Sequence, residues 1–254
     1  MKKLSVAMIT LNEAANLPRT LESVAWADEI NIVDNGSTDG TQEIAAKYGA
    51  RVFTEPWKGF GAQMNSALAK CTAPWILSLD ADEVVTPELA AEIQSLLADT
   101  PEFPVYSVPR RNMIFGRWLR HGGLYPDRKL RLFQKGTAYW PEDIEPHSTG
   151  KWDGPTGALQ APLVHHQYPS LTLYIEHMNR YSTASVPTLL KKGKTSRSLP
   201  AFVWNTVLNP LATFAYNYIF RLGFLDGREG LLLHLTHSGY VHWKYAKTWQ
   251  AGRK

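Results

Sequence analysis

Trp75-Ile76-Leu77-Ser78-Leu79-Asp80-Ala81-Asp82-Glu83 is the stretch that decides how this chain is read. An apolar run ends in two carboxylates one residue apart. A buried strand that stops at Asp-x-Asp places acidic groups at the carboxyl edge of a sheet, which is where open α/β sheets bind ligands. Hard divalent cations take oxygen ligands, and Mg²⁺ is usually held by one or two carboxylates together with substrate phosphates. The local chemistry therefore suits a metal and a phosphorylated ligand. A plain surface turn would use the same letters, so the flanking segments have to decide.

Working outward, the first hundred residues alternate strand and helix patterns. Leu4–Thr10, Ile30–Asp34, Arg51–Glu55 and Trp75–Asp80 read as strands. Between them lie helical segments. Asn16 is expected to cap one that has Pro18 in its first turn. Asp39 with Gln42 resembles a capping box, with Gly49 as the stop. Ala62–Cys71 is a third. Thr86-Pro87-Glu88 then opens a helix to about Leu97, with cap, N1 proline and N-terminal acid in order. Repeated βα units of this length predict an α/β fold, with a mostly parallel central sheet flanked by helices.

The rhythm changes after Pro101. Val105–Arg110 and Lys129–Phe133 are candidate strands, residues 136–170 are expected to be irregular, and Ser170–Leu190 to be helical. Residues 110–135 hold Arg110, Arg111, Arg117, Arg120, Arg128, Lys129, Arg131 and Lys135 against the single acid Asp127. Lys191, Lys192, Lys194 and Arg197 follow in a basic linker. Such clusters favour phosphate or anionic lipid partners; a solvated basic face is the plain alternative. Leu199–Leu225 is apolar and aromatic but interrupted by Asn205, Asn209, Pro210, Asn217 and Arg221. Burying that arginine in lipid costs about 2.5–3.5 kcal/mol on insertion scales. The segment therefore reads as an interfacial element or as a helical hairpin packed on protein.

The chain has 254 residues, a formal net charge of +4 and 44% hydrophobic residues, so a packed core is expected. The lone Cys71 excludes an intramolecular disulfide and reads as buried filler. No secretory signal precedes Leu4, and no apolar run is long enough for an ordinary transmembrane helix.

In the βα reading, four segments end at one sheet edge: Thr10-Leu11-Asn12-Glu13, Asp34 to Gly40, Lys58-Gly59-Phe60-Gly61, and Asp80-Ala81-Asp82. The first strand lacks both G-x-G-x-x-G and a Walker lysine loop, which argues against a dinucleotide-binding Rossmann domain and a P-loop. It also lacks the glycine-rich basic loop of a nucleotidyltransferase. A haloacid-dehalogenase-type phosphatase would carry Asp-x-Asp after its first core strand, not its fourth. What remains is a set of polar side chains suited to a base and a ribose. Asp34 is expected to accept a uracil imide N–H, Asp80 to take ribose hydroxyls, and Asp82 to hold a metal at the diphosphate.

These motifs resemble family 2 glycosyltransferases of the GT-A fold: Thr10-Leu11-Asn12-Glu13, Val33-Asp34-Asn35-Gly36-Ser37-Thr38-Asp39-Gly40, Gly59-Phe60-Gly61-x-Gln63-x-Asn65-x-Ala67 and Asp80-Ala81-Asp82-Glu83. Within that family the chain is most similar to the lipopolysaccharide-core β-glucosyltransferases. That likeness rests on Arg131-Leu132-Phe133, on His165 with Tyr168, and on Arg221-Leu222-Gly223-Phe224-Leu225-Asp226-Gly227-Arg228-x-Gly230. Where the group carries Val-His-Glu, this chain has Glu142-Asp143-Ile144-Glu145-Pro146-His147.

The resemblance implies inverting transfer of a hexose from a UDP-sugar to a hydroxyl of a lipid-linked glycan, such as lipopolysaccharide core. The cofactor it implies is Mg²⁺ or Mn²⁺. Thr10, Asn12, Glu13, Asp34, Lys58, Gln63, Asn65 and Asp80 are the expected nucleotide-sugar residues. Asp82 and His165 are the expected metal ligands, and Asp143 or Glu145 the base, with His147 next in line. Residues 1–190 are expected to form the catalytic domain, with a nucleotide-sugar half (1–100) and an acceptor half (101–190). Residues 191–254 would supply the linker and amphipathic C-terminal helices. No nucleic-acid partner is implied. The expected location is cytoplasmic, peripheral on the inner face of a bacterial inner membrane and in contact with its anionic surface. A catalytically inactive sugar-nucleotide-binding or scaffold protein of the same fold stays open as the alternative.

Overall fold

The computed structural model describes residues 3–141 and 150–253. The chain divides into two compact units: Met1–Arg111 with Asp127–His165, and Asn112–Pro126 with His166–Lys254.

The first unit is built on strands β1 (Leu4–Thr10), β2 (Glu29–Asp34), β3 (Arg51–Thr54) and β4 (Trp75–Ser78), which pair in parallel in the order β3-β2-β1-β4. Helices α1 (Leu17–Ser23), α2 (Thr41–Lys47) and α3 (Phe60–Lys70) are the crossovers. β1 and β4, neither at an edge of the sheet, are nearly continuous buried runs because both faces are covered. Leu4, Val6 and Met8 of β1 enter one core cluster with Leu17, Leu21 and Leu89, while Ala7 faces a second with Met64, Ile76 and Phe133. After β4 the chain forms β5 (Glu83–Val85), α4 (Pro87–Ala98), β6 (Val105–Ile114), β7 (Arg117–Trp118) and β8 (Asp127–Gln134). β8 lies antiparallel to β4 and turns the parallel sheet into a mixed one. β9 (Gly157–Ala158) and β10 (Leu163–Tyr168) complete a ten-stranded sheet in the order β3-β2-β1-β4-β8-β6-β10-β5, with β7 and β9 on β6.

Local expectations fare unevenly. Thr86 caps α4 as read, accepting from Leu89 N at 3.2 Å, a bond worth about 1 kcal/mol. Asn16 occupies its cap position without capping: its side chain donates to Glu13 at 2.8 Å and accepts from Arg19 instead. The capping-box reading of Asp39 is corrected too. Gly40 is the N-cap of α2, and Asp39 accepts from Thr41 N and Oγ1. The segment expected to be irregular carries β9 and β10, too short or too mixed in pattern to show a period of two. Cys71 is buried, and that burial raises its thiol to about 11.

The second unit is mainly helical. The helix expected over 170–190 is divided at Ser185 into α5 (Leu171–Ala184) and α6 (Val186–Lys191), with Pro187 in the first turn of α6. The aromatic segment is helical, with α7 (Leu199–Val203) and α8 (Asn209–Ala215) extended by π-helical turns at Trp204–Leu208 and Tyr216–Phe220. It packs on the long α9 (Gly227–Ala251). Ser238 donates to the Pro210 carbonyl at 2.9 Å, His242 Nδ1 meets the Thr206 carbonyl at 2.7 Å, and Phe202 stacks edge-on against Trp249. The opposite side stays apolar and open, with Leu199 74% and Phe220 76% exposed and Trp204, Leu211 and Ile219 more than half exposed. Among the described residues no helix is long and apolar enough to cross a membrane.

Candidate functional site

The parallel register brings the predicted segments together. Thr10 pairs with Asp34, and Asp34 with Thr54, so the loops after β1, β2 and β3 leave one edge of the first unit side by side. Asp34 knits them. Its carboxylate accepts from Thr10 Oγ1 (2.8 Å), Gly36 N (2.9 Å), Ser37 N (2.8 Å), Ser37 Oγ (2.5 Å) and Gln42 Nε2 (2.6 Å). Burial alone would raise its pKa; the Ser37, Thr10 and Gln42 bonds outweigh burial and lower it. A carboxylate offers about four lone-pair sites, so these five donors commit Asp34 to shaping the loop. Asn12, at φ +56°, accepts from Thr38 N at 2.9 Å, and its own N–H donates to Ser37 Oγ at 2.8 Å. Burial raises the Glu13 carboxyl; the Asn16 bond opposes this, and the charges of Asp82, Asp39 and Asp80 reinforce it.

A cavity of about 480 Å³ opens at this edge, lined by Thr10, Glu13, Asn35, Trp57 and Phe60 among others. Trp57 and Phe60 meet edge to face at 4.7 Å and are 47% and 38% exposed, an aromatic wall facing solvent. Asn35 Oδ1 is buried and has no hydrogen-bond partner. Of these three residues the sequence reading missed Trp57; Asn35 and Phe60 lie in the quoted edge segments but were given no role of their own. The available signal was an aromatic pair flanking Lys58-Gly59 in an otherwise polar loop.

Asp80 and Asp82 have separate surroundings. Asp80 accepts from Arg131 at 2.5 Å, and Arg110 lies at 4.0 Å. Burial would raise the Asp80 carboxyl, but Arg131, His165 and Arg110 bring it down to about 2. Both arginines also hold the fully buried Glu83, at 3.0 and 2.6 Å, and Arg110 is further paired with Asp127 at 2.5 Å. Asp82 instead faces the buried imidazole of His165, with Nε2 at 3.4 Å. His165 lies opposite Glu83 in the antiparallel β10–β5 ladder, which is what brings it to the Asp-x-Asp turn. Among the described residues no group of three or more His, Cys, Asp or Glu is arranged to hold a metal. Asp82 offers the oxygen ligand that Mg²⁺ or Mn²⁺ takes, with ligand phosphates to complete the shell, while the His165 imidazole suits Mn²⁺ better than the harder Mg²⁺.

Three expected ligand contacts go to the protein itself. Lys58 Nζ pairs with Glu55 at 2.8 Å, and that contact lowers the Glu55 carboxyl to about 2. Gln63 is fully buried and accepts from Lys58 N at 3.3 Å. Asn65 is spent on the main chain of Trp140, donating to its carbonyl at 2.7 Å and accepting from its N–H at 2.9 Å. Both ends of the Asn65 amide are satisfied by backbone. Asp143, Glu145 and His147 lie outside the described residues.

Known proteins match this arrangement. The profile of glycosyl transferase family 2 matches residues 5–152. The lipopolysaccharide core biosynthesis glycosyltransferase LpsC of Rhizobium meliloti is 31% identical, over 97% of this chain and 92% of its own length. An uncharacterized glycosyltransferase of Rickettsia typhi is 30% identical over 76% of this chain and 70% of its length. In fold, the chain matches the mannosyltransferase PcManGT of Pyrobaculum calidifontis, solved with GDP-Man and Mn²⁺. The TM-score is 0.54 and the identity 19%, over 97% of this chain and 87% of that one. With its mixed sheet, the chain has the GT-A fold and belongs to glycosyl transferase family 2.

Proposed function

We propose that this glycosyltransferase moves a hexose, with inversion, from a UDP-sugar to a hydroxyl of a lipid-linked glycan of the lipopolysaccharide-core class. The observation that carries the reading is the edge cavity: an aromatic wall and an unpartnered amide oxygen, with Asp82 and His165 in the same unit. A pyrimidine ring lies against Trp57 and Phe60, and its imide N–H is accepted by the Asp34 carboxylate or the neighbouring Asn35 amide oxygen. Asp80, held as a carboxylate by Arg131, accepts from ribose hydroxyls. Asp82 and His165 are the residues that would hold a divalent ion. Such an ion, when bound, neutralises charge developing on the departing diphosphate. The acceptor hydroxyl attacks the anomeric carbon from the face opposite the diphosphate, and its proton passes to a carboxylate within hydrogen-bond reach, for which Asp143 and Glu145 are the candidates.

The acceptor class is supported by the likeness to LpsC across nearly the whole chain. The apolar side of α7 and α8 supports work at a membrane surface. Its apolar side chains suit the acyl boundary, while Lys191, Lys192, Lys194 and Arg197 precede it in the chain and suit anionic headgroups. In this reading the protein is cytoplasmic and peripheral on the inner face of the bacterial inner membrane. Thermal melting tests the donor half. UDP with Mn²⁺ at about a hundred times its Kd should add about 2.7 kcal/mol to the folded state. Asp82→Ala should remove the metal-dependent part. An equal shift with EDTA as with Mn²⁺ sinks the metal assignment. No shift with any nucleoside diphosphate sinks the donor reading.

A further inference from the structure

The second unit holds a cavity of its own, about 420 Å³. Its wall includes Tyr168, Tyr174, Tyr181 and Tyr240, with Asn217 and Arg221 as polar groups, and His234 also lines it. His234 is only 4% exposed, yet its Nε2 has no hydrogen-bond partner. Gly122 and Gly123 both have positive φ. A Cβ on the first would collide with the His234 imidazole, and one on the second with the Arg221 guanidinium. The Gly122 N–H also donates to the Arg221 carbonyl at 2.8 Å. Two side chains are thus seated against backbone that only glycine allows. Arg221 lies 5.3 Å from the centre of the Tyr216 ring, and no carboxylate among the described residues pairs with it.

The cavity interior carries little charge. Burial lowers His234, with Asp226 opposing, and burial together with Lys244 brings His237 down to about 4. Both imidazoles are neutral near pH 7 and serve as single donors or acceptors. Rigid tyrosine faces, an amide and neutral imidazoles are groups that take a polyol ring, apolar on its faces and hydroxylated on its rim. Arg221 adds a guanidinium, whose planar fork matches a phosphate. Immediately beside it in the chain, Ile219, Phe220, Leu222 and Phe224 are about half exposed or more.

We propose that this cavity binds a phosphorylated pyranose, the sugar in the cavity and the phosphate on Arg221, as the headgroup of a glycolipid whose chains rest on the adjoining apolar side. The proposal rests on the acceptor class given above, and it adds a binding site to that reading. The test is saturation-transfer NMR titration of the full chain with glucose 6-phosphate, glucose and inorganic phosphate, UDP-dependent melting being read on the same samples. Glucose 6-phosphate should bind at least about 10-fold more tightly than either fragment, a difference of about 1.4 kcal/mol. Arg221→Gln and Asn217→Ala should each weaken it by about the same factor while leaving the UDP shift intact. Arg221 is exposed, so its variant keeps the fold. Phosphate binding as tightly as the sugar phosphate, or variants that bind like wild type, overturns the site. Loss of the UDP shift in wild type with sugar-phosphate binding retained counts against the donor reading alone. Flotation with phosphatidylcholine vesicles carrying a phosphorylated glycolipid, competed by glucose 6-phosphate, separates the sources. Binding of the free probe without flotation overturns the glycolipid half of the proposal.

Discussion

Arg131→Met is the perturbation that most directly probes how the Asp-x-Asp turn is held. Arg131 is 4% exposed, and one of its nitrogens contacts Asp80 at 2.5 Å and Glu83 at 2.6 Å. Methionine keeps most of the apolar stem and removes the charge. Glu83, with no exposed surface, then keeps only Arg110 at 3.0 Å and the Asp80 N–H at 3.1 Å. Breaking a buried pair from one side costs about 3–5 kcal/mol. For a chain of this size that corresponds to a fall in Tm of roughly 6–20 °C. Urea unfolding followed by circular dichroism measures it, and a double-mutant cycle with Glu83→Gln isolates the pair: the two losses should fall short of additivity by at least about 1 kcal/mol. The pH dependence carries the same information. The Asp80 carboxyl sits at about 2 when folded, below its ordinary 3.8. Its contribution is therefore present in full above about 4 and lost as pH falls through about 2. The shift approaches two units, but the side chain is a third exposed, so solvent screening leaves about 1–2 kcal/mol. Arg131→Met should flatten the stability curve in that acid window. A loss under about 1 kcal/mol, or a fully additive cycle, would refute the reasoning.

Trp57→Ala should weaken UDP binding by about 10-fold, because stacking a base on an aromatic ring is worth about 1–3 kcal/mol; calorimetric titration showing an unchanged Kd rejects the aromatic wall. Of Asp143→Asn and Glu145→Gln, one should lower kcat by at least about 10²-fold with donor binding intact, and near-normal turnover in both moves the base to another residue, His147 first. The full chain should float with anionic vesicles more than with neutral ones, and less as salt rises, since each surface cation adds about 1 kcal/mol that salt screens. Equal flotation with both vesicle types excludes an electrostatic component of membrane attachment.

What the amino-acid sequence determined by itself is what depends on near neighbours along the chain. The apolar runs Leu4–Thr10 and Trp75–Ser78 are strands because they must be covered on both faces, and Thr86-Pro87 starts a helix by its own hydroxyl and ring. Chain order then sends the polar ends of β1, β2 and β4 to one edge, since each βα crossover returns the next strand parallel. Tertiary structure decided which of those polar groups are available. Asp34 and Asn65 carry the letters of ligand-binding residues, and the fold gives Asp34 partners in the loop it shapes. Asn65 hydrogen-bonds the backbone of Trp140, 75 residues away. The pairing of Glu83 with Arg131, 48 residues on, separates Asp80 from Asp82 in character, although one residue separates them in sequence. The Tyr-lined cavity of the second unit gathers Gly122, Tyr168, Arg221 and His234 from stretches with no shared period. Periodicity reports which face of an element is buried. It carries no record of which partner fills a buried hydrogen bond, because that partner arrives only when distant segments pack.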